Sequence, residues 1–370
     1  MSATTPIPGR PTVAPEQWND WRWQMRNRIR TVDALRDWID VSDEEAATIE
    51  RTEAQYRWTI TPYYASLMDP VDRACPIRRQ AVPSAAELEP RDTDDVDPLG
   101  DTHYRRTNRV IHKYPDRIVL LVTAVCPTYC RHCTRKFHTT NRDGTYFEGA
   151  EAQSFEEDFA YIRAHPEIRD VLLTGGDPLT YPDRRLEQIL AALREIPHVE
   201  IIRFGTRFPV LLPQRITDDF CDMVARYHPV WLNTHFNHPR ELSPEAAVAC
   251  DRLLRRGVPI GNQAVLLKGI NDDETTMRDL MTGLLRIRVR PYYLFHCDNV
   301  TGVSHFATTL ERGREIIDSM HGHLTGFAVP HYSVTTFVGK VPLERERVRE
   351  DGAGHLVEGF DGRTQHLDHL

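Results

Sequence analysis

The residues best placed to do chemistry stand in one short run, LLVTAVCPTYCRHCTRKF, where Cys126, Cys130 and Cys133 follow a C-x3-C-x2-C spacing. Three thiolates on one loop can hold three irons of a four-iron cluster and leave the fourth iron open. An open iron can bind a substrate or cofactor, whereas a fully ligated cluster only carries electrons. Zinc is the competing reading, with His132 as a fourth ligand, but zinc sites usually pair two ligand dyads at a distance and no second dyad exists here. The other cysteines, Cys75, Cys221, Cys250 and Cys297, are scattered singly. An odd total in a chain without a secretion signal argues against a disulfide framework and for metal or redox chemistry at the cluster. Further along, Gly175, Gly176 and Asp177 in LLTGGDPL allow close backbone approach to a ligand or, equally, a tight turn. Lys340 in FVGKVPL reads first as a surface lysine after Gly339; a role as nucleophile would need a partly desolvated, neutral amine.

These residues need a frame. From 117 onward, short apolar runs suited to buried parallel strands occur at 118–124, 170–175, 199–205, 230–235, 259–267, 290–295 and 326–334. Helical patterns fall between them near 154–164, 185–195, 215–227, 243–256, 274–286 and 307–321. Six strand–helix repeats and a closing strand are the signature of parallel βα units. The reading is an α/β fold, a partial (β/α)6 barrel over 109–343, with a doubly wound open sheet as the alternative that periodicity leaves open. The cysteine loop follows the first strand, on the face where barrel active sites are built. Residues 1–108 form an N-terminal helical region and linker. Trp18, Trp21, Met25 and Ile29 there keep the spacing of a packed helix face, and 76–108 reads as an irregular surface connection. Residues 344–370 read as a short irregular tail. Asn233, His235 and Asn237 alternate along the fourth strand and beyond it, which faces them into the barrel or into core hydrogen bonds.

Composition narrows the class. The chain has 370 residues, 40% of them hydrophobic and 27% charged, as in an ordinary globular protein. A net charge of −8 offers no basic footprint for nucleic acid. No run approaches the roughly 18 apolar residues of a membrane span, and the first residues, MSATTPIPGRPTV, lack a signal peptide's regions. The expectation is a cytoplasmic enzyme.

The cysteine spacing, with Tyr129 before the second cysteine, resembles the radical S-adenosylmethionine superfamily. The finer resemblance is to the lysine 2,3-aminomutase family, carried by HKYPDRIVLLVTAVCPTYCRHCTRKF, VLLTGGDPL, RFGTRFPVLLPQRIT, VWLNTHFNHPRE, IGNQAVLLKGIND, RVRPYYLFHCD and FVGKVPL over roughly 15–345. It implies three cofactors: a 4Fe-4S cluster on Cys126, Cys130 and Cys133, S-adenosylmethionine on its open iron, and pyridoxal 5'-phosphate. Gly175, Gly176 and Asp177 then look like the contact with the methionine moiety, and His235 like a contact of the adenosyl group. Lys340 falls where the family forms its internal aldimine, although SVTTFVGK keeps only Gly339 of the family's glycine run. Arg117 matches a position near the cofactor phosphate and Gln263 another cofactor contact. Arg135 looks like the arginine that grips the substrate carboxylate, for which a planar fork is suited.

The distal end of the substrate site departs from the family. Lysine 2,3-aminomutases hold the side-chain ammonium between two aspartates; the first corresponds to Asp298, but the second should lie in a stretch that here reads Ser333, Val334, Thr335, Thr336. Phe295 also replaces a common tyrosine. The resemblance therefore implies a free basic amino acid, arginine by preference, or lysine if Glu344, Glu346 or Asp351 swings in. The expected reaction is a 2,3-amino shift giving the β-amino acid. A desaturase with the same cofactors and a non-enzymatic electron carrier are the rivals. A reductant such as flavodoxin or ferredoxin is the expected partner. The C-terminal zinc cysteines of many relatives are missing, so homo-oligomerisation does not transfer.

Overall fold

The computed structural model describes residues 11–139, 154–350, 355–359 and 361–367. Nine strands form one sheet in chain order: β1 (Val110–Tyr114), β2 (Arg117–Thr123), β3 (Asp170–Gly175), β4 (Ile201–Gly205), β5 (Val230–Thr234), β6 (Ile260–Leu266), β7 (Arg290–His296), β8 (His331–Thr336) and β9 (Gly339–Pro342). Strands β2 to β8 pair in parallel, while β1 and β9 add antiparallel edges. The expected run of six βα units and a closing strand is present. The two edge strands were not anticipated, because VIHKY and GKVP are short and carry little alternation.

The crossover helices form where the sequence supplies both an apolar stripe and a cap. The helix Asp183–Arg194 buries Leu186, Ile189, Leu190 and Leu193, a stripe at i, i+3, i+4 and i+7. Thr217, Ser243, Asp273 and Thr309 each accept a backbone N–H at the start of the helix that follows. These stripes cover the outer face of the sheet, where Val171, Leu173, Ile202 and Phe204 join one hydrophobic cluster.

The other face is different. Along β3, β4 and β6, residues alternate strictly between buried and half-buried. The half-buried set includes Asp170, Thr174, Arg203 and Gln263. A closed eightfold barrel fills its interior with side chains; here the inner face mixes those polar groups with Leu172, Ile201 and Val265 and stays reachable by water. The sheet's two edges do not pair. They meet through side chains: Lys113 Nζ of β1 donates to Thr336 O at the end of β8, and the Lys340 N–H of β9 donates to the Tyr114 hydroxyl of β1 at 2.9 Å. The result is a partial barrel.

Three readings of the flanking segments need correction. The helix face drawn through Trp18, Trp21, Met25 and Ile29 breaks at Asp20, whose carboxylate caps α2 (Trp21–Arg26) after α1 (Pro15–Asn19) has ended. Residues 76–108 are a surface connection only in part: 89–96 is irregular and mostly exposed, but the helix Pro76–Ala81 buries Ile77, Arg78, Gln80 and Ala81, and Glu87 is buried in the 3-10 turn after it. Ile77 and Ala81 join the same cluster as the barrel strands. The tail read as irregular carries a three-stranded antiparallel sheet, Val348–Glu350, His355–Glu358 and Thr364–Leu367. Asp351 lies outside the described residues.

The glycine pair after β3 has a structural reason. Gly175 has φ +127°, and a Cβ on Gly176 would lie 2.5 Å from Val125 O. Gly176 N and Asp177 N donate to Thr123 O and Val125 O at 2.5 and 2.9 Å. The end of β3 is thus pressed onto the backbone that leads into the cysteine loop, a fit only glycine permits. Gly175→Ala is expected to cost about 1–3 kcal/mol from backbone strain alone, read as a lower urea midpoint; an unchanged midpoint would show that the loop gives way.

Candidate active site in the barrel interior

The three cysteines lie on the loop after β2, and none is in a disulfide. The loop is held from outside by a buried ion cluster. Glu87 accepts from Arg131 Nη2 at 2.5 Å and from Lys136 Nζ at 2.6 Å, and all three side chains are within 1% of complete burial. Burial alone would raise the Glu87 carboxyl, but Arg131 and Lys136 hold it down at about 2. Lys136 also donates to Arg131 O and Gly302 O at 3.2 and 3.0 Å. Arg28 reaches the loop's start, donating to Cys126 O at 2.8 Å.

The inner side of the loop rests on a second network. Arg207 is buried after β4. Its Nη1 donates to Cys130 Sγ at 2.9 Å, its Nε to His235 O at 2.9 Å, and its Nη2 to Gln80 Oε1 and Glu241 Oε1 at 2.6 and 2.7 Å. Glu241 also accepts from Tyr64 Oη at 2.7 Å and from Asn237 N at 2.6 Å. His132 turns into this network, with Nε2 3.2 Å from Asn237 Nδ2 and its ring edge-on to Phe306. Asn237 is therefore a core hydrogen-bonder rather than an interior contact, with Val265 N donating to its Oδ1 at 2.9 Å.

Metal geometry separates the two metal readings. Among the described residues, the set of three candidate ligands whose atoms lie within 4.8 Å of one another is Asp97, Asp101 and His138, not the cysteines. A single zinc at ~2.3 Å from each sulfur would require sulfurs about 3.8 Å apart. Wider thiols suit a multi-iron cluster. The acidic set is already in use, since Asp101 pairs with Arg135 and Asp97 accepts from the Asp101 and Thr102 N–H groups.

Asp177 follows the glycines, but its carboxylate faces protein. Oδ1 accepts from Thr206 Oγ1 and Leu179 N at 2.7 and 3.1 Å, and Oδ2 from Arg207 N at 2.8 Å. Burial pushes its carboxyl up to about 7 against those donors. His235 is held down at about 4 by burial and by Arg207, so it is neutral at ordinary pH. Gln263 stands half-buried on the inner face of β6, and Asn233 is buried on β5.

Lys340 is the second residue of β9; it is exposed to solvent, with its side chain lying over β7 on the same inner face. Its Nζ lies 4.5 and 5.0 Å from the ring centroids of Tyr293 and Phe295 on β7. The side chain is reachable by water because the interior is open, yet protein surrounds it. Burial, with Arg203, Arg117 and Arg135 near by, lowers its amine from 10.5 to about 8, against the attraction of Asp298. Arg203 is paired with Asp170 at 2.7 Å, and Arg117 with Asp116 at 2.7 Å while stacking on Tyr114. A lysine among guanidinium groups fits an aldehyde cofactor that carries a phosphate.

Asp298 follows β7, beside the cysteine loop. Thr134 Oγ1 donates to its Oδ2 at 2.7 Å, while the buried Oδ1 has no hydrogen-bond partner. Burial raises its carboxyl to about 6 despite Thr134, Arg135, the Thr335 backbone N–H and Lys113. Arg135, one residue beyond Thr134, donates from Nε to Asp101 Oδ2 at 2.7 Å, which fixes the plane of its guanidinium. The interior thus gathers Lys340, Arg135 and Asp298 on the side of the cysteine loop, with Arg117 at the opposite end of β2. Sequence reasoning missed Arg207, Glu241, Gln80, Arg203 and the Glu87 clamp. Arg207 sits inside the quoted RFGTRFPVLLPQRIT, but no spacing distinguishes it from the arginines around it.

Residues 120–280 match the radical SAM superfamily. The chain is 48% identical to an L-lysine 2,3-aminomutase of Fusobacterium nucleatum, over 95% of this chain and 83% of that one. It is 48% identical to an L-lysine 2,3-aminomutase of Clostridium subterminale, over 87% and 76%. A glutamate 2,3-aminomutase of Clostridioides difficile is 44% identical, over 92% and 80%.

Proposed function

The chain belongs to the lysine 2,3-aminomutase family of the radical SAM superfamily, and from that premise we propose that it moves the α-amino group of free arginine to the β-carbon. Cys126, Cys130 and Cys133 would hold a 4Fe-4S cluster with S-adenosylmethionine on its open iron, and Lys340 would hold pyridoxal phosphate. When bound, these groups supply a radical able to open a C–H bond and a π-system able to carry nitrogen between carbons.

The observation that carries the substrate reading is Asp298, a half-buried residue whose carboxylate is held by Thr134 and the Thr335 backbone, with Oδ1 turned out of solvent in the interior that Lys340 shares. A buried anion calls for a cation. The neighbouring strand offers Ser333 and Thr335, neutral groups that can share a guanidinium's several N–H donors. An ammonium would ask for a second acid. Glu344 does not supply it, being held near His331 Nδ1 at 3.5 Å and accepting from Tyr332 N at 3.3 Å, and Glu346 is exposed. Glutamate would be repelled.

The protein's own residues divide the remaining work. Arg135, oriented by Asp101, grips the substrate carboxylate. Lys340, half neutral near pH 8, presents an amine able to attack a carbonyl. Arg117 offers charge to a phosphate, and Gln263 and neutral His235 offer hydrogen bonds on the inner wall. Gly175 and Gly176 seat the cysteine loop, and Asp177 ties that loop to the start of Arg207's segment. A flavodoxin or ferredoxin would supply the electron.

The test is anaerobic incubation of the reconstituted protein with reductant, S-adenosylmethionine, pyridoxal phosphate and separate lysine, arginine, ornithine and glutamate. Deoxyadenosine and an arginine isomer of unchanged mass are expected. A product two hydrogens lighter would replace the mutase by a desaturase, and absence of deoxyadenosine with every substrate would overturn both. The distal contact has its own signature. Because Asp298 is charged above about 6 and neutral below, the KM for arginine should rise as pH falls through that value. Asp298→Asn should show a high KM at every pH; a pH-independent KM in the parent protein would remove Asp298 from the substrate.

A further inference from the structure

We propose that Arg207 is a positioning residue for the iron–sulfur cluster, holding a charged N–H on the sulfur of Cys130 and thereby raising the cluster's reduction potential. This rests on the reading that Cys126, Cys130 and Cys133 carry that cluster.

The geometry singles out one sulfur. Cys130 Sγ lies 2.9 Å from the charged Arg207 Nη1, whereas Cys133 Sγ meets neutral groups, the Thr139 hydroxyl at 3.8 Å and the Arg135 backbone N–H. The guanidinium cannot turn away. Its Nε is fixed on His235 O, its Nη2 on Gln80 and Glu241, and its own backbone N–H on Asp177 Oδ2. Each anchor is itself held: Gln80 Nε2 donates to Pro76 O and Glu241 Oε1, and Glu241 takes further donors from Tyr64, Asn237 and His238. A guanidinium stays protonated in a protein, and Glu241 lies 2.7 Å from its Nη2. A fixed cation in a dry site thus meets a ligand thiolate whose negative charge grows when the cluster takes an electron. Hydrogen bonds and positive charge at cluster sulfurs favour the reduced state. An enzyme that must reduce its cluster before opening S-adenosylmethionine gains from such a contact.

The network spans the sequence. It joins Tyr64 and Gln80 from the N-terminal region, the cysteine loop, the segment after β4 and the segment after β5. The sulfur is therefore placed by the assembled fold, with the three loops locked about one carboxylate. Glu241 balances the cation, so the pair adds little net charge while aiming the positive end at the sulfur.

The experiment is an anaerobic redox titration of the full-length reconstituted protein, followed by electron paramagnetic resonance, with iron and sulfide assayed beside it. Arg207→Met should load cluster but show a reduced-to-oxidised ratio about tenfold lower at a fixed potential, which for a one-electron couple is about 59 mV. Arg207→Met leaves Glu241 unbalanced, so Arg207→Met/Glu241→Gln is titrated as well, with circular dichroism as the check on folding. Arg207→Lys keeps charge without the fork and should fall between parent and Arg207→Met. Unchanged ratios in whichever of these variants fold would overturn the proposal, as would a folded variant that cannot retain iron. If the parent protein itself binds no iron, the cluster assignment fails instead, and the two failures are told apart.

Discussion

Lys340→Ala is expected to lower turnover by about a thousandfold or more, as loss of a covalent nucleophile does, and borohydride should no longer fix pyridoxal phosphate to the chain. The reason is local. β9 begins at Gly339, and the Lys340 N–H is held by Tyr114, so the side chain is delivered over Tyr293 and Phe295 into the interior. A lysine left in water is almost wholly protonated at neutral pH and a poor nucleophile. This one is lowered from 10.5 to about 8, first by burial and then by Arg203, Arg117 and Arg135. The sign is clear: the neutral, reactive share grows as pH rises through about 8. The rate at which cofactor-free protein takes up pyridoxal phosphate should follow that midpoint. A midpoint near 10.5 would mean that Lys340 is an ordinary solvated amine, and covalent cofactor on Lys340→Ala would mean that another lysine carries it.

Glu87→Ala should have the largest effect on stability. It would leave Arg131 and Lys136 buried without their shared carboxylate, a loss of about 3–5 kcal/mol for breaking a buried ion pair by removing one partner. Both cations belong to the cysteine loop, so iron content after reconstitution should fall with it. The parent's own acid sensitivity provides a second readout. The Glu87 carboxyl is about 2 in the folded chain against an ordinary 4.5, so its contribution is complete above about 4.5 and is lost as pH falls towards 2. The gap between the urea midpoints of parent and Glu87→Ala should therefore narrow over that range. A gap already absent at pH 7 would show that the clamp contributes nothing to folding. A gap of the expected size with full iron content would show that the loop holds its shape without it.

Much of the architecture and part of the site follow from local sequence. The seven parallel strands and six crossover helices were legible because each is built from short-range information: alternating or continuous apolar runs, stripes at 3.6 spacing, and caps such as Ser243 and Asp273. The cysteine motif was legible for the same reason, since its ligands are separated by only a few residues. Lys340, Arg117, Arg135 and Asp298 were reached through family resemblance, and nothing in their own neighbourhoods distinguishes them. What local sequence could not supply is which buried polar groups meet. Arg207 and Cys130 are 77 residues apart, Glu241 and Gln80 are 161, and Glu87 and Arg131 are 44. Arg207, Glu241, Glu87 and Arg131 each read alone as surface charges, because a charged side chain is buried only when the fold brings its partner. The same limit explains Gln80 and Glu87, in a segment whose polarity suggested the surface: both are buried, Gln80 in the network around Arg207 and Glu87 against Arg131 of the cysteine loop. Local sequence alone was enough for a run of parallel βα units with a metal-binding cysteine loop after the first of them, but not for the choice between a barrel and an open sheet. Only the tertiary structure decided that the interior is open and partly polar, that Lys340 and Asp298 share it, and that one arginine is aimed at one cysteine, because those facts depend on contacts between residues far apart in the chain.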